Sequence, residues 1–232
     1  MRAVKLIVIS PEAEDSREHT LLAQLFASGL MSYHLRKPSW TREEMVAFLR
    51  EVPAEFHPRM VLHTHHDLAT EFTLGGIHQR DIAEPVCHLL SDKPGLIEVV
   101  DDEGEKPVCH LLSDKISGVA GGFLRSRAVH DLATLRDSVD EYDRVLVSPV
   151  FPSFSKPGYG PSEKLPGADL RSVLALPRHA EVVALGGIDA SRFAACRELG
   201  FDGVAVLGAV WQASDPVRAF NELQNALHTH AA

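Results

Sequence analysis

Two segments near the C-terminus, ALGGI at 184–188 and GVAVLGAVW at 203–211, have the composition of a phosphate cradle. Gly186, Gly187 and Gly208 carry no Cβ, so the backbone N–H groups around them, with that of Leu207, can approach phosphate oxygens closely. Plain turns would use the same glycines. A second segment, SPVFPSFSKPGYG at 148–160, sets the hydroxyls of Ser153 and Ser155 and the ammonium of Lys156 on a loop bounded by proline and glycine. That donor set suits phosphate or diphosphate, and a solvated loop with a single lysine is the alternative. A third, YHLRKP at 33–38, offers Arg36 as a fork for an oxyanion, with His34 two residues earlier on the same strand face. An ion pair would occupy that arginine equally well.

Histidines supply the remaining chemistry. In VLHTHHDLA at 61–69, His63 and His65 share a face of an extended chain and are open to a metal ion, while His65, His66 and Asp67 also read as a polar helix start. His63, Thr64 and His78 join His34 as candidate pocket residues. His130, in SRAVH at 126–130, carries an imidazole, the side chain whose chemistry suits a general acid or base near neutrality. A surface histidine without a role is the competing reading. PVCHLLSDK occurs twice, at 85–93 and at 107–115. Cys87 and His88, like Cys109 and His110, are adjacent residues. Neighbours on a strand face opposite ways, and zinc patterns separate paired ligands by two or more residues, so the repeat is not read as a metal site. It reads as a tandem duplication within one connection, with a lid over the site as its functional alternative.

These residues need elements to position them. Short runs rich in Val, Ile and Leu alternate with stretches of helical period, predicting strands at 5–10, 31–36, 60–64, 76–79, 119–125, 144–150, 181–186 and 203–207. Helices are expected at SREHTLLAQLFASG, closed by Gly29, and at TREEMVAFLREV, where Thr41 and Glu44 form a capping box. Further helices fall on AVHDLATLRDS, GADLRSVLAL, DASRFAACRELG with Asp189 as N-cap, and DPVRAFNELQNAL. Eight βα units in 232 residues predict an α/β fold, a TIM (β/α)8 barrel spanning 1–232 as a single domain. An open doubly wound sheet would place a glycine-rich loop after the first strand, and VISPEAEDS has none. The crossover from the fourth strand to the fifth is the longest, and its insertion, at about 84–116, contains both repeat copies.

Composition sets the outer bounds. With 32 acidic against 23 basic residues the formal charge is −9, which disfavours nucleic acid and anionic membrane as partners. Three cysteines suit a reducing compartment. No apolar run reaches the roughly 18 residues of a membrane span, and the N-terminus carries no leader-like pattern, so a cytoplasmic protein is expected.

Taken in order, YHLRKPSW, VLHTHHDLA, GGIHQ, SRAVH, SPVFPSFSKPGYG, VVALGGI and DGVAVLGAVW resemble the landmarks of the thiamine phosphate synthase/TenI family of TIM barrels. The resemblance implies thiamine biosynthesis, with one of two reactions. A synthase joins hydroxymethylpyrimidine diphosphate to thiazole phosphate, releasing pyrophosphate with Mg2+; a TenI protein isomerises a thiazole phosphate carboxylate to its aromatic tautomer and needs no cofactor. Carried over by position, Arg36, Ser153, Ser155 and Lys156 resemble diphosphate ligands, Gly187 and Gly208 the thiazole phosphate cradle, and His130 the TenI proton-transfer histidine. The departures are chemical. His63 and Thr64 stand where a synthase has Asn-Asp, and Pro38 where it has the lysine two places after the arginine. Asp81 alone is left as a metal candidate after strand four, and Ala128 replaces a serine before His130. Because tautomerisation needs only an anchor and a placed acid/base, the resemblance tilts towards the tautomerase. The synthase stands second, followed by a non-catalytic barrel that binds a phosphorylated ligand and by another phosphate-binding barrel enzyme. A homo-oligomer is compatible with either reaction.

Overall fold

The computed structural model describes residues 5–80, 122–152, 160 and 164–229. The PVCHLLSDK repeat and the 84–116 insertion lie outside the described residues, as do Asp81, Ser153, Ser155 and Lys156.

Eight parallel strands close into a barrel in chain order: β1 (Lys5–Ile9), β2 (Tyr33–Leu35), β3 (Met60–Leu62), β4 (Gly76–Gln79), β5 (Leu124–Val129), β6 (Arg144–Val147), β7 (Glu181–Ala184) and β8 (Gly203–Val206). Their Val, Ile and Leu content follows from burial on both faces, the usual state of a parallel sheet. The helices are α1 (Glu18–Ala27), α2 (Arg42–Glu51), α3 (Leu68–Glu71), α4 (Leu132–Glu141), α5 (Gly167–Leu174), α6 (Phe193–Leu199), α7 (Gly208–Trp211) and α8 (Pro216–Thr229). Thr41 and Glu44 form the expected capping box on α2, and Asp131 caps α4 by accepting from Thr134 N. Asp189 starts a 3-10 turn, Ala190–Arg192, ahead of α6, and Gly200 ends that helix at φ +98°. None of the described helices is long and apolar enough to cross a membrane.

The fifth strand corrects the sequence reading, beginning at Leu124 and not near residue 119. Its register is set by contact with β4, where Gly76 pairs with Leu124 and a Cβ on Gly76 would fall 2.2 Å from the Leu124 carbonyl oxygen. Ser126 to Val129 therefore belong to the strand, and His130 is the first residue beyond it. Most other strands end one to three residues earlier than expected, leaving Arg36, His63, Thr64, Ser148, Leu185 and Leu207 at the C-terminal rim.

The barrel interior is divided. Ile7 and Ile9 from β1, with Leu146, Val183 and Ala205 from β6, β7 and β8, form a buried apolar half. The half beside β2 to β5 is polar, filled by His34, His63, His78 and Ser126. At the N-terminal end an ion cluster closes the barrel: Glu181 pairs with Lys5 and with Arg144, whose Nη2 lies 2.9 Å from its carboxylate, and Arg144 Nη1 donates to Ser32 Oγ at 3.1 Å. Outside the strands, apolar side chains of α1 and α8, among them Leu22, Leu25, Phe26, Phe220 and Leu223, pack on the barrel wall.

Candidate active site

The C-terminal mouth brings together residues that lie far apart in the chain. His130 is exposed at the end of β5, and its Nδ1 lies 2.6 Å from the Ser148 carbonyl oxygen at the end of β6. A carbonyl only accepts, so Nδ1 carries the proton and Nε2 keeps its lone pair. The ring is thereby held in one orientation with a basic nitrogen free to exchange a proton.

Arg36 leaves β2 at the rim, where its backbone is tied to Ser10: Arg36 N donates to Ser10 Oγ at 2.7 Å, and that hydroxyl donates to Arg36 O at 3.0 Å. Its guanidinium meets Glu12 at a half-exposed position. The arginine thus faces the mouth and is held by a carboxylate that an incoming anion would have to replace. Lys37, one residue on, points to the opposite side of the sheet. It is fully buried outside the barrel, 2.6 Å from Glu18 and 4.9 Å above the Trp40 ring. The one-residue displacement noted in the sequence therefore removes this lysine from the mouth altogether.

The loops after β7 and β8 lie across the same opening. Gly186 and Gly187 adopt φ +94° and +59°. A Cβ on Gly187 would fall 2.1 Å from the Pro152 carbonyl oxygen, and one on Gly186 would fall 2.8 Å from Pro149 Cα. These glycines let the β7 loop pack on the β6 loop, a reason in addition to ligand approach. Gly208 differs, since its missing Cβ would meet only the Gln212 side chain, at 3.3 Å. The absence of a side chain there leaves the Leu207–Gly208 backbone open at the start of α7.

Beneath the mouth lies a layer of imidazoles. Strand register sets it: Leu62 pairs with Ile77, which brings His63 and His78 side by side, and His78 pairs with Ser126. The rings of His63 and His78 stack at 4.1 Å, His34 Nδ1 lies 3.0 Å from His63 Nε2, and His78 Nδ1 lies 2.7 Å from Ser126 Oγ. Ser126 Oγ also reaches the Ile77 carbonyl oxygen at 3.3 Å. In the tautomer where the serine proton goes to that carbonyl, His78 donates from Nδ1 and holds its lone pair on Nε2. The paired reading of His63 and His65 is corrected: the chain turns at His65, φ 51°, and His65 Nε2 reaches the Trp40 carbonyl at 2.9 Å instead of the barrel interior. The Thr64 hydroxyl is buried with no hydrogen-bond partner among the described residues.

Burial is the main reason that the three imidazoles are held uncharged, with repulsion from neighbouring histidines and from Arg36 or Arg144 adding to it; His34 and His63 lie well below the ordinary histidine range and His78 is pushed down to about 3. An unfolded histidine takes up a proton near pH 6.5, so the unfolded chain binds protons that the folded one refuses. Stability is expected to fall as pH drops below about 6.5, with a slope approaching ~1.4 kcal/mol per pH unit for each imidazole. Urea titrations from pH 7.5 to 5 in chelator-containing buffer check this, and a flat profile would contradict the buried neutral layer.

No family model matches the chain. It is 34% identical over 111 residues to a thiamine-phosphate synthase of Mycolicibacterium gilvum, a stretch covering 47% of this chain and 45% of that protein. A thiamine-phosphate synthase of Haemophilus influenzae is 26% identical over 184 residues, covering 78% of this chain and 69% of the relative. Among solved structures, thiamine phosphate pyrophosphorylase from Bacteroides thetaiotaomicron superposes with a TM-score of 0.68 at 23% identity, covering 97% of this chain and 98% of its own. The chain is thus similar to thiamine-phosphate synthases over part of its sequence and shares the barrel fold of thiamine phosphate pyrophosphorylases. Its match spans about half the length of several of these curated relatives. The fold is shared more widely within barrels: 3-hexulose-6-phosphate synthase from Salmonella typhimurium superposes at a TM-score of 0.62 with 17% identity, covering 99% of this chain and all of its own.

The histidine layer is where the sequence was least transparent. His34, His63 and His78 are recognisable singly as pocket residues, and their convergence with Ser126 follows only when inward positions on β2 to β5 are aligned by register.

Proposed function

We propose that this protein is a cytoplasmic enzyme of thiamine biosynthesis that binds a thiazole phosphate at the C-terminal mouth and catalyses its TenI-like tautomerisation. The observation that carries this reading is His130, fixed through Nδ1 on the Ser148 carbonyl with Nε2 free at the mouth. In the proposed reaction, Nε2 takes a proton from the thiazole carboxylate substrate and returns it at the position that makes the ring aromatic. The catalyst ends as it began. The phosphate is anchored by backbone N–H groups around Gly186, Gly187, Leu207 and Gly208, with Arg36, Ser153, Ser155 and Lys156 as further anion ligands. Positioning of this kind, and one placed base, are all that tautomerisation requires.

The names of the sequence relatives favour thiamine phosphate synthesis as the second reading. That reaction implies Mg2+, a hard ion that seeks oxygen ligands. The described residues do not fit it: Thr64 offers a hydroxyl where a synthase has a carboxylate, and their only group of three or more metal-capable side chains is made of imidazoles. Assays with both substrate sets, with and without Mg2+, separate the readings. Metal-independent formation of the aromatic thiazole is expected. Magnesium-dependent pyrophosphate release would overturn it in favour of the synthase, and binding of thiazole phosphate without turnover of either set would overturn both.

A further inference from the structure

Three histidines on successive strands, with nitrogens facing one another inside a barrel, form a donor set that neither reaction uses. The ligand atoms of His34, His63 and His78 all lie within 4.8 Å of one another, and all three side chains are buried. His34 Nδ1 and His63 Nε2 are 3.0 Å apart. Two nitrogens each about 2.0–2.1 Å from a tetrahedral ion are separated by ~3.3 Å, so this pair already stands near a bound geometry. The cluster also has the wiring of a metal site. His78 Nδ1 lies 2.7 Å from Ser126 Oγ, which reaches the Ile77 carbonyl, and in the tautomer where Nδ1 donates to that hydroxyl this outer contact leaves His78 Nε2 as a lone-pair donor.

A second observation points the same way. His34 Nε2 is fully buried and has no hydrogen-bond partner among the described residues. An unmade bond on a buried polar atom is unfavourable, and a cation would relieve it where His34 ligates through Nε2 in place of the Nδ1 that now faces His63. We propose that His34, His63 and His78 bind one divalent transition-metal ion of the zinc class at the floor of the mouth, leaving a fourth position for water or an anionic ligand. Imidazole is a borderline donor, suited to Zn2+ and Co2+ and poor for Mg2+ and Ca2+. Arg36 and Arg144 are paired with Glu12 and Glu181, yet both still repel positive charge at the cluster, which favours an anion as the ion's further ligand. The ion's own two charges then select an anion, such as hydroxide, carboxylate or phosphate, for the open position. His63, the most accessible of the three at 8% exposure, lies on the rim side of the cluster. Metal binding is read without substrate, so the site stands or falls separately from the thiazole reading.

The test is a Co2+ titration of tag-free, chelator-stripped protein followed by visible absorption. One equivalent with the intense bands of tetrahedral Co2+ is expected, displaced by Zn2+ and untouched by millimolar Mg2+. His34→Ala and His78→Ala should lose the bands, His65→Ala should keep them, and Ser126→Ala should weaken affinity about 10- to 100-fold by freeing the His78 ring. Absence of saturable binding, or equal binding by His34→Ala and His78→Ala, would overturn the site. Should those variants fail to fold, X-ray absorption of the Zn2+-loaded wild type decides: three imidazole nitrogens at about 2.0 Å support the proposal, and any other shell refutes it.

Discussion

Lys37→Met is expected to lower the unfolding free energy by about 3–5 kcal/mol near neutral pH, among the largest single-residue losses this fold can suffer outside its apolar core. Lys37 is fully buried, and its ammonium lies 2.6 Å from Glu18, which is itself almost wholly buried. The Tyr33 hydroxyl donates to the other carboxylate oxygen at 2.7 Å, and Lys37 also donates to the Ala13 carbonyl at 3.2 Å. Burial already raises the Glu18 pKa, the opposing pull of Lys37 being the smaller effect. Removing the ammonium strands a carboxylate between α1 and the barrel wall. Glu18 then becomes still harder to ionise, so its folded pKa moves further above the unfolded one. The sign follows: the protonated carboxyl is tolerated at low pH, and the penalty of the variant grows as pH rises from about 4 towards 7. The double variant Glu18→Gln/Lys37→Met should recover most of the loss, since a buried pair often contributes little beyond the well-packed neutral residues that replace it. Chemical denaturation of the four proteins of this cycle at pH 5 and pH 7 measures it. A loss below 1 kcal/mol at both pH values, or no rescue in the double variant, would refute the account.

His130→Ala is expected to reduce kcat for tautomerisation by about 10²–10⁴ while leaving KM nearly unchanged. The side chain is exposed and its described polar partners are the carbonyl and the hydroxyl of Ser148, so its removal leaves the strands intact. The proposed phosphate anchor lies on other loops, which is why binding should persist. Added imidazole should restore part of the rate, and the wild-type dependence of kcat on pH should lose its histidine limb in the variant. A purely structural role for His130 would instead change stability and KM together, without chemical rescue. An unchanged kcat would remove the proton-shuttle assignment.

How far the chain can be read without coordinates varies from residue to residue. The eight-strand pattern, the capping box on α2 and the Asp189 cap rest on hydrophobic period and on side chains that bond their own backbone, and these were legible. Strand five was not, because its start is set by how closely Gly76 admits Leu124 across the sheet, a contact between residues nearly fifty positions apart. Gly186 and Gly187 were recognisable as special, but sequence alone read them as ligand-facing when their packing on Pro149 and Pro152 also demands glycine.

The amino-acid sequence by itself determined that the chain is a βα repeat closing into a TIM barrel, that its formal charge is −9, and that its landmarks resemble those of thiamine phosphate synthase and TenI proteins. These depend on composition, period and motif order, which a linear chain displays in full. Only the tertiary structure decided which side of the sheet each polar residue faces. A shift of one position along a strand turned Lys37 away from the mouth into a buried ion pair. Barrel closure gathered His34, His63, His78 and Ser126, spread over more than ninety residues, into one buried layer. Register and closure are properties of strands packed together, and no single strand carries them.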